Sequence, residues 1–347
     1  MSPSKELETE LLSCLTQGKL PDHTFDELAQ RIFSYQLEHN PAYQNYCSAK
    51  GISPEAVTYW NQIPALPTDA FKYPDTPVVS FPINQKSHTF LTSGTTSEMR
   101  GAHHFPSLAL YEASIRHSWN ELGLPECSCG IFLTQPPAST PSSSLSHMMG
   151  VLEPIIATRS AWILQQDGSL DTETLIRCVA EAQPIFLLGT ALSFLQLFDN
   201  LTEPLALPEG SMAMETGGYK GSRRELEKAE LYTLFADKLG LAENSIINEY
   251  SMTELSSQFY THGIGNSHHG PPWTRIRVID PRTGAESEQG MPGYLVVYDL
   301  ANLHSVMAIQ TQDIAIAHSD RSFTLIGRDP SALPRGCSRA ADTQHPS

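Results

Sequence analysis

The chain has 347 residues, 40% hydrophobic and 17% charged, proportions typical of a globular protein rather than a disordered or fibrous one. Asp and Glu number 38 against 22 Lys and Arg, which gives a formal net charge of −16. A surface this acidic repels nucleic acids and anionic membranes, and no basic cluster offsets it. Composition therefore excludes a nucleic-acid-binding function. Any phosphorylated ligand must be held locally by loop amides, a metal ion or a few cations.

The sequence contains no apolar run long enough to span a bilayer, and its charged N-terminus is unlike a secretion signal. The one close pair of cysteines lacks further ligands at zinc-site spacing. We therefore expect a cytoplasmic protein with reduced thiols, most of them small core or surface residues. The six cysteines are Cys14, Cys47, Cys127, Cys129, Cys178 and Cys337.

Two helices are predicted near the N-terminus. The leucines of residues 7–15 recur at helical spacing, and Thr24 with Glu27 forms a capping-box pattern ahead of a second apolar stripe. The segment IPALPTDAFK, residues 63–72, follows as a connection interrupted by two prolines.

The middle of the chain alternates apolar runs with helical patterns. The runs GIFLT (130–134), PIFLLGT (184–190) and SIINEY (245–250) predict buried strands. An amphipathic stretch after Ser222 predicts a helix whose capping box is Ser222 with Glu225. Such alternation is typical of an α/β domain with a largely parallel sheet.

The pattern changes at residue 274. The short alternating segments TRIRVID, GYLVVY, VMAIQ, DIAIA and FTLI predict an antiparallel sheet or a small barrel. We therefore expect four parts in the chain. They are a helical segment (1–75), an α/β nucleotide- and acyl-binding core (76–273), an antiparallel β subdomain that completes the site (274–328) and a short tail with Cys337 (329–347).

The loop TSGTTSEMRG, residues 92–101, crowds hydroxyls and glycines into ten positions. It lacks the Gly-Lys-Ser/Thr ending of a P-loop. Its backbone N–H groups and hydroxyls nevertheless suit the β- and γ-phosphates of a nucleotide. The alternative is a plain hydroxyl-rich turn.

Two further loops follow predicted strands. In METGGYKG, residues 214–221, adjacent glycines allow a flat ring to lie on the backbone, although a tight turn before a helix explains them equally well. In NEYSMTEL, residues 248–255, Thr253 and Glu254 come near the carboxyl end of a strand, where α/β sheets bind ligands. A helix is predicted to follow, so Glu254 is either a carboxylate at a helix N-terminus or a magnesium ligand.

The last region with candidate chemistry is TQDIAIA followed by LIGRD. Asp313 is predicted at the head of a strand, where one carboxylate can accept hydrogen bonds from both ribose hydroxyls. Arg328 either forms a surface salt bridge or faces a phosphate.

Taken in order, these stretches resemble the adenylate-forming, acyl-CoA synthetase-like superfamily. The series is Thr-Ser-Gly-Thr-Thr, Gly-Gly, Tyr-x-Met-Thr-Glu, Gly-x-x-Gly-Tyr-Leu, Thr-x-Asp and Gly-Arg. Within it, IPALPTDAFK, ETGGYKG, SMTELSSQFY and PRGCS resemble the acyl-protein synthetases of bacterial luminescence. That narrower likeness runs from about residue 63 to residue 338.

The resemblance implies the N-terminal domain of that superfamily: mixed and parallel sheets flanked by helices, a small antiparallel sheet or barrel, and a mobile C-terminal domain that is largely missing. It implies ATP and Mg²⁺ as cofactors and activation of a fatty or otherwise hydrophobic acid as its acyl-adenylate. By the same resemblance, the pyrophosphate portion of ATP is bound by Thr92, Ser93, Gly94, Thr95 and Thr96. The adenine is bracketed by Glu215, Gly217 and Gly218, and Tyr250 stacks near the ring. Thr253 contacts the α-phosphate, Glu254 binds magnesium, Asp313 binds the ribose, and Arg328 contacts the adenylate region.

The sequence departs from the superfamily after Arg328, because no lysine occurs in the last 19 residues, where relatives continue into a domain with a catalytic lysine. Arg100 or Lys220 is the expected substitute. Cys337 lies between Arg335 and Arg339, and cations beside a thiol favour the thiolate. We therefore expect Cys337 to receive the acyl group and pass it to a downstream acceptor protein, a reductase or a carrier.

Two alternative functions remain open. One is a ligase that passes another acid to coenzyme A, a carrier protein or an amine. The other is a degenerate adenylate-forming fold that acts as a binding subunit. Among secondary features, the pairs His103-His104 and His268-His269 are poor metal sites that either line a loop or place one histidine near the carboxylate site. The apolar run 187–198 is either an acyl-pocket wall or core.

Overall fold

The computed structural model describes residues 3–92, 99–217 and 226–329. The helices described are α1 (Pro3–Gln17), α2 (Asp22–His39), α3 (Pro41–Ala49), α4 (Ala109–Asn120), α5 (Ser144–Ile156), α6 (Thr172–Ala180), α7 (Ala191–Asn200) and α8 (Lys228–Leu239). The strands described are β1 (Leu66–Pro67), β2 (His88–Leu91), β3 (Ala102–Phe105), β4 (Cys127–Leu133), β5 (Ala157–Trp162), β6 (Ile185–Thr190), β7 (Met212–Thr216), β8 (Ile246–Tyr250), β9 (Phe259–His262), β10 (Thr274–Ile279), β11 (Gly293–Asp299), β12 (Ala308–Ala317) and β13 (Phe323–Arg328).

Seven of the predicted site residues lie outside the described residues. They are Ser93, Gly94, Thr95, Thr96, Gly218, Lys220 and Cys337.

The two predicted N-terminal helices are present as α1 and α2, but the predicted cap of α2 is wrong. The helix begins at Asp22, directly after Pro21, whose backbone is extended with a ψ of 152°. Thr24 and Glu27 are therefore inside the helix rather than at its start. Asn40 ends α2 and begins α3, where its side chain accepts a hydrogen bond from the backbone N–H of Tyr43.

The larger sheet has the strand order β5-β4-β6-β7-β8-β9. Its first five strands are parallel and β9 is antiparallel to β8, so the predicted largely parallel sheet is confirmed. Helices α4 and α5 cover one face, and α6, α7 and α8 cover the other. Because both faces are covered, the strands are apolar on both sides, which explains the continuous apolar runs of the sequence. The run 187–198 belongs to this core.

The smaller sheet has the order β1-β12-β11-β10, and β13 also pairs with β12. The segments VMAIQ and DIAIA, predicted as separate, are one strand, β12. Of the two polar residues between them, Gln312 is half-buried, whereas Thr311 is buried and its hydroxyl accepts a hydrogen bond from the N–H of Asp313. The proline-containing connection also contributes β1, which pairs with β12 in parallel.

One hydrophobic core joins the N-terminal helices to the smaller sheet. The Gln36 side chain of α2 donates to the carbonyl oxygens of Asn302 and Leu303, beyond β11. Arg275 of β10 forms an ion pair with Asp22 at the start of α2, at 2.8 Å. The proposed division of the chain at residues 75, 273 and 328 stays a prediction.

One further local prediction is wrong. No helix follows Glu254, because residues 251–258 form a turn that returns the chain into β9. Helix α8 is described from Lys228, with Glu227 in an extended conformation before it, and the predicted cap residues Ser222 and Glu225 lie outside the described residues. The backbone N–H of Glu227 donates to the side chain of Glu230.

Candidate active site

The loop that begins at Thr92 is closed at its base by the hairpin of β2 and β3. The backbone N–H of Thr92 donates to the carbonyl oxygen of Gly101 at 2.8 Å, and the N–H of Gly101 donates to the Thr92 hydroxyl at 2.7 Å. A Cβ at position 101 would lie 3.0 Å from the Thr92 methyl group, so glycine suits this close approach. Leu91 is tied to the segment before α5 by its N–H, which donates to Ser142.

Arg100 lies on this base. Its Nε donates to the carbonyl oxygen of Thr92 at 2.6 Å, and the side chain is exposed to solvent. A cation is therefore held where residues 93–98 leave and re-enter the hairpin.

Thr253 and Glu254 are buried in the turn at the carboxyl end of β8. The Thr253 hydroxyl lies 3.2 Å from that of Ser144 at the start of α5. The carbonyl oxygen of Thr253 accepts a hydrogen bond from His103 Nδ1 at 2.8 Å, which leaves Nε2 to accept from Ser305 at 2.9 Å. Burial lowers the pKa of His103 to about 3, so the ring is neutral. His103 and His104 are in β3 and not in a loop, and the alternative that one histidine lies near the carboxylate site stays a prediction.

Asp299 and Asn302 fasten this turn from the smaller sheet. Asp299 accepts hydrogen bonds from the N–H of Ser256 at 2.9 Å and the hydroxyl of Ser257 at 2.8 Å. The Asn302 amide donates to the carbonyl oxygen of Glu254 at 2.9 Å. Because Asp299 is fully buried, desolvation raises its pKa to about 6 despite these donors.

Tyr250 and Asp313, predicted as parts of one nucleotide site, are in contact. The Tyr250 hydroxyl donates to the Asp313 carboxylate at 2.7 Å, and both residues are buried. Asp313 lies within β12 and not at its head, directly opposite Arg328 of β13. The Arg328 guanidinium donates to the side chain of the neighbouring Gln312 at 2.7 Å. The two sheets therefore meet at the Tyr250–Asp313 hydrogen bond.

Glu215, at the end of β7, has partners within the protein. Its carboxylate lies 3.0 Å from Lys228 Nζ and accepts from the Tyr232 hydroxyl at 3.2 Å. Both partners belong to α8, and neither was singled out in the sequence. Gly217 follows two residues later with φ of +75° and is exposed, which glycine tolerates without strain.

Glu249 is a buried acid that sequence analysis missed. The Thr216 hydroxyl donates to its carboxylate across the β7–β8 pair. Burial raises its pKa to about 7, and the nearby Glu215 charge acts in the same direction. The only available signal was position, since Glu249 lies between two residues of the motif Asn-Glu-Tyr-Ser-Met-Thr-Glu.

Two groups of neighbouring residues contain some of the described candidates. The first contains Tyr250, Asp313 and Arg328 at the junction of the sheets, and the second contains Thr253 beside Ser144 and His103. Thr92 and Arg100 lie instead at the hairpin, and Glu215 bonds to α8. Tyr250 and Thr253 belong to the same β8 end, so the two groups adjoin. In the described ranges, no cluster of three or more His, Cys, Asp or Glu side chains is arranged to hold a metal ion. One carboxylate, such as that of Glu254, is enough for Mg²⁺ that is also held by nucleotide phosphates and water.

No protein-family model matches the chain. The long-chain-fatty-acid–luciferin-component ligase of Aliivibrio fischeri is 24% identical to it over 319 residues, which covers 85% of this chain and 80% of that protein. None of the helices in the described ranges is long and apolar enough to cross a membrane.

Solved structures of adenylate-forming enzymes share the fold. A 2-hydroxyisobutyryl-CoA ligase in the postadenylation state is similar with a TM-score of 0.64 and 14% identity, over 90% of this chain and 69% of that one. An open conformation of the same ligase has a TM-score of 0.62 and 14% identity, over 91% of this chain and 72% of that one. The ATP-bound MatB of Rhodopseudomonas palustris has a TM-score of 0.48 and 17% identity, over 69% of this chain and 47% of that one.

At such low identity the structural likeness establishes the fold alone, whereas the curated relative matches in sequence along most of the chain. The two comparisons agree: the chain has the fold of the 2-hydroxyisobutyryl-CoA ligase and is similar in sequence to the long-chain-fatty-acid–luciferin-component ligase.

Proposed function

We propose that the chain uses ATP to activate a carboxylic acid as its acyl-adenylate and then transfers the acyl group to a thiol. The observation that carries this proposal is the hydrogen bond between Tyr250 and Asp313. It joins a residue at the carboxyl end of the parallel sheet to one in the smaller sheet, and the family resemblance assigns both residues to the nucleotide. Carboxyl ends of parallel strands are where α/β folds bind such ligands.

In the first step, a carboxylate oxygen of the acid attacks the α-phosphorus of ATP. The bond between that phosphorus and the oxygen bridging to the β-phosphate breaks, and pyrophosphate leaves. The protein's contribution is to position the reactants and to stabilise the charge on the phosphates. Asp313 would hold the ribose, the Thr253 hydroxyl would contact the α-phosphate, and Arg100 would supply positive charge at the base of the phosphate loop.

Glu254 would hold Mg²⁺, which neutralises phosphate charge when bound. The loop 92–96, Glu215, Gly217 and Gly218 would complete the nucleotide site. The strongly acidic surface makes these local contacts necessary, because the overall field repels ATP.

We further propose that the acid is hydrophobic, as the name of the Aliivibrio fischeri relative suggests for that protein. In the second step, the Cys337 thiolate would attack the acyl carbonyl carbon, and AMP would leave as the thioester forms. A downstream reductase or carrier protein would then accept the acyl group.

Acid-dependent exchange of pyrophosphate into ATP tests the first step. We expect exchange that requires both Mg²⁺ and a carboxylic acid, measured across straight-chain acids of increasing length. Tight ATP binding without exchange for any acid would contradict the proposed activity.

Intact-protein mass spectrometry after incubation with ATP and acid tests the second step. The expected result is one acyl adduct on Cys337, lost in Cys337→Ser and retained in Cys14→Ser. Exchange activity with product only on coenzyme A or another thiol would reject self-acylation while keeping the adenylation step.

A further inference from the structure

Glu249 has an acceptor that the described protein does not satisfy. The residue is 2% exposed, one carboxylate oxygen accepts from Thr216, and the nearby Ser251 hydroxyl also stabilises the charged carboxylate. The other oxygen, Oε1, has no hydrogen-bond partner among the described residues. Buried polar atoms are almost always paired, so an orphaned carboxylate oxygen indicates a missing partner.

A second orphaned group faces the same side of the sheet. Tyr260 lies directly across the β8–β9 pair from Glu249, and cross-strand partners project to the same face. Its hydroxyl is buried and also lacks a partner within the described ranges. The Glu249 charge raises the pKa of Tyr260 further, after burial, so the two groups interact.

The surroundings of this pair are apolar and aromatic. The core on this face of the sheet is formed by the hairpin, α4, α5 and the strands. Tyr260 shares this core with Phe90, Phe105, Tyr111, Met148 and Met214, and its ring centroid lies 5.9 Å from that of Trp119. A molecule that occupies this region therefore needs an apolar body and one polar group.

The pair lies next to the proposed reaction centre. Glu249 immediately precedes Tyr250, and its charge acts on Tyr111 of α4. Tyr111 donates to the carbonyl oxygen of Ser144, whose hydroxyl lies beside that of Thr253. An acyl chain that extends from the adenylate into the α4–α5 face would pass this pair.

We propose that Glu249 and Tyr260 recognise a hydroxyl group on the acyl portion of the substrate, so that the enzyme selects a hydroxylated, otherwise apolar carboxylic acid. The inference rests on the proposed function. A hydroxyl satisfies both orphaned groups, since it donates to Glu249 Oε1 and accepts from the Tyr260 hydroxyl. An ammonium group has no acceptor for Tyr260, and an unsubstituted alkyl chain satisfies neither group.

The test compares acids of equal length: decanoate with 2-hydroxy-, 3-hydroxy- and 10-hydroxydecanoate. We expect at least one hydroxylated acid to exceed decanoate tenfold or more in kcat/KM for exchange, because sites built to hydrogen-bond a substrate hydroxyl reject analogues without it. In Glu249→Met this ratio is expected to fall to about one. Tyr260→Phe should reduce it partly, and the exposed Glu126→Met should leave it unchanged.

Binding gives a second readout that does not depend on catalysis. The thermal midpoint of the wild type should rise more with the preferred hydroxy acid than with decanoate, and Glu249→Gln, which keeps the size of the side chain, should reduce that difference. Equal exchange and equal midpoint shifts for both acids would overturn the inference and leave the adenylation proposal intact. Absence of exchange with every acid would instead reject the proposed function, and the midpoint shifts would still decide whether a hydroxyl is recognised.

Discussion

The carboxylate of Asp313 accepts a hydrogen bond from the Tyr250 hydroxyl where the two sheets meet. A carboxylate that is fixed in this way loses little further freedom when it binds ribose hydroxyls, because its orientation is already set. Tyr250 would then act mainly by orienting Asp313, in addition to stacking near the base.

We predict that Asp313→Asn raises KM for ATP by about 10- to 100-fold, since hydrogen bonds to charged groups contribute about 1.5–3 kcal/mol. Exchange kinetics at varied ATP concentration measure this. Tyr250→Phe serves as the comparison and should have a smaller effect, because it removes only the orienting hydroxyl. A normal KM in Asp313→Asn would show that the ribose is held elsewhere.

We predict that Glu254→Gln lowers the exchange rate at low Mg²⁺ by about tenfold or more and that higher Mg²⁺ partly restores it. The amide lacks the charge that attracts the metal ion. Titration of exchange against Mg²⁺ concentration checks the prediction, with the exposed Glu288→Gln as control. Identical magnesium curves for Glu254→Gln and wild type would remove this residue from the metal site.

At the scale of elements, the turn 251–258 could not be predicted from local sequence. The motif favours the start of a helix, yet Ser256 and Ser257 donate hydrogen bonds to Asp299, more than 40 positions away. Local patterns do not report such tertiary bonds, and they outweigh helix propensity here.

The same turn gives a prediction for its fastening residue. Asn302→Ala should lower the free energy of unfolding by about 1–3 kcal/mol, because it leaves the buried carbonyl oxygen of Glu254 without its amide donor. It should also weaken the magnesium dependence of exchange, since Glu254 moves. Denaturant unfolding measures the first effect, and Asn45→Ala, on the exposed side of α3, provides the control. An Asn302→Ala protein with wild-type stability would contradict the assignment.

The parallel strands were predictable for a physical reason. Strands covered on both faces are apolar throughout, so β4, β6 and β8 stand out in the sequence. The start of α2 was not predictable from the capping pattern, because Thr24 matches that pattern whereas the helix begins at Asp22. In the candidate site, the proposed nucleotide residues come from motifs that the sequence displays, and their roles stay predictions. Glu249 did not stand out in the sequence, because acids are almost never fully buried.

For the whole molecule, three buried histidines from separate segments link folding to pH. Burial lowers the pKa of His103 and His268 to about 3 and that of His304 to about 4. Each ring is neutral when folded and takes up a proton near pH 6.5 when unfolded. The unfolded chain therefore binds more protons below pH 6.5, so acid favours unfolding. Glu249 and Asp299 have raised pKa values and act in the opposite direction. Their contribution to the stability of the fold is lost as pH rises through their folded-state pKa values of about 7 and about 6.

We predict that His103→Gln flattens the acid limb of the stability curve between pH 6.5 and 4. By pH 5 the wild-type histidine removes about 2 kcal/mol, at about 1.4 kcal/mol per pH unit, and glutamine does not titrate. Urea unfolding at several pH values measures the difference, with the exposed His23→Gln as control. Parallel curves for wild type and His103→Gln would show that this ring titrates normally.

The strand that carries Asp313 shares one of its edges between β1, from early in the chain, and β13, from the last described segment. Gln312 beside it also bonds to Asp69, 243 positions earlier. During synthesis, β1 cannot pair with β12 until most of the polypeptide has left the ribosome. The proposed ribose contact therefore forms late, after all strands of the parallel sheet have been synthesised. A nascent chain stopped before residue 308 should therefore contain the complete parallel sheet and still lack a working nucleotide site.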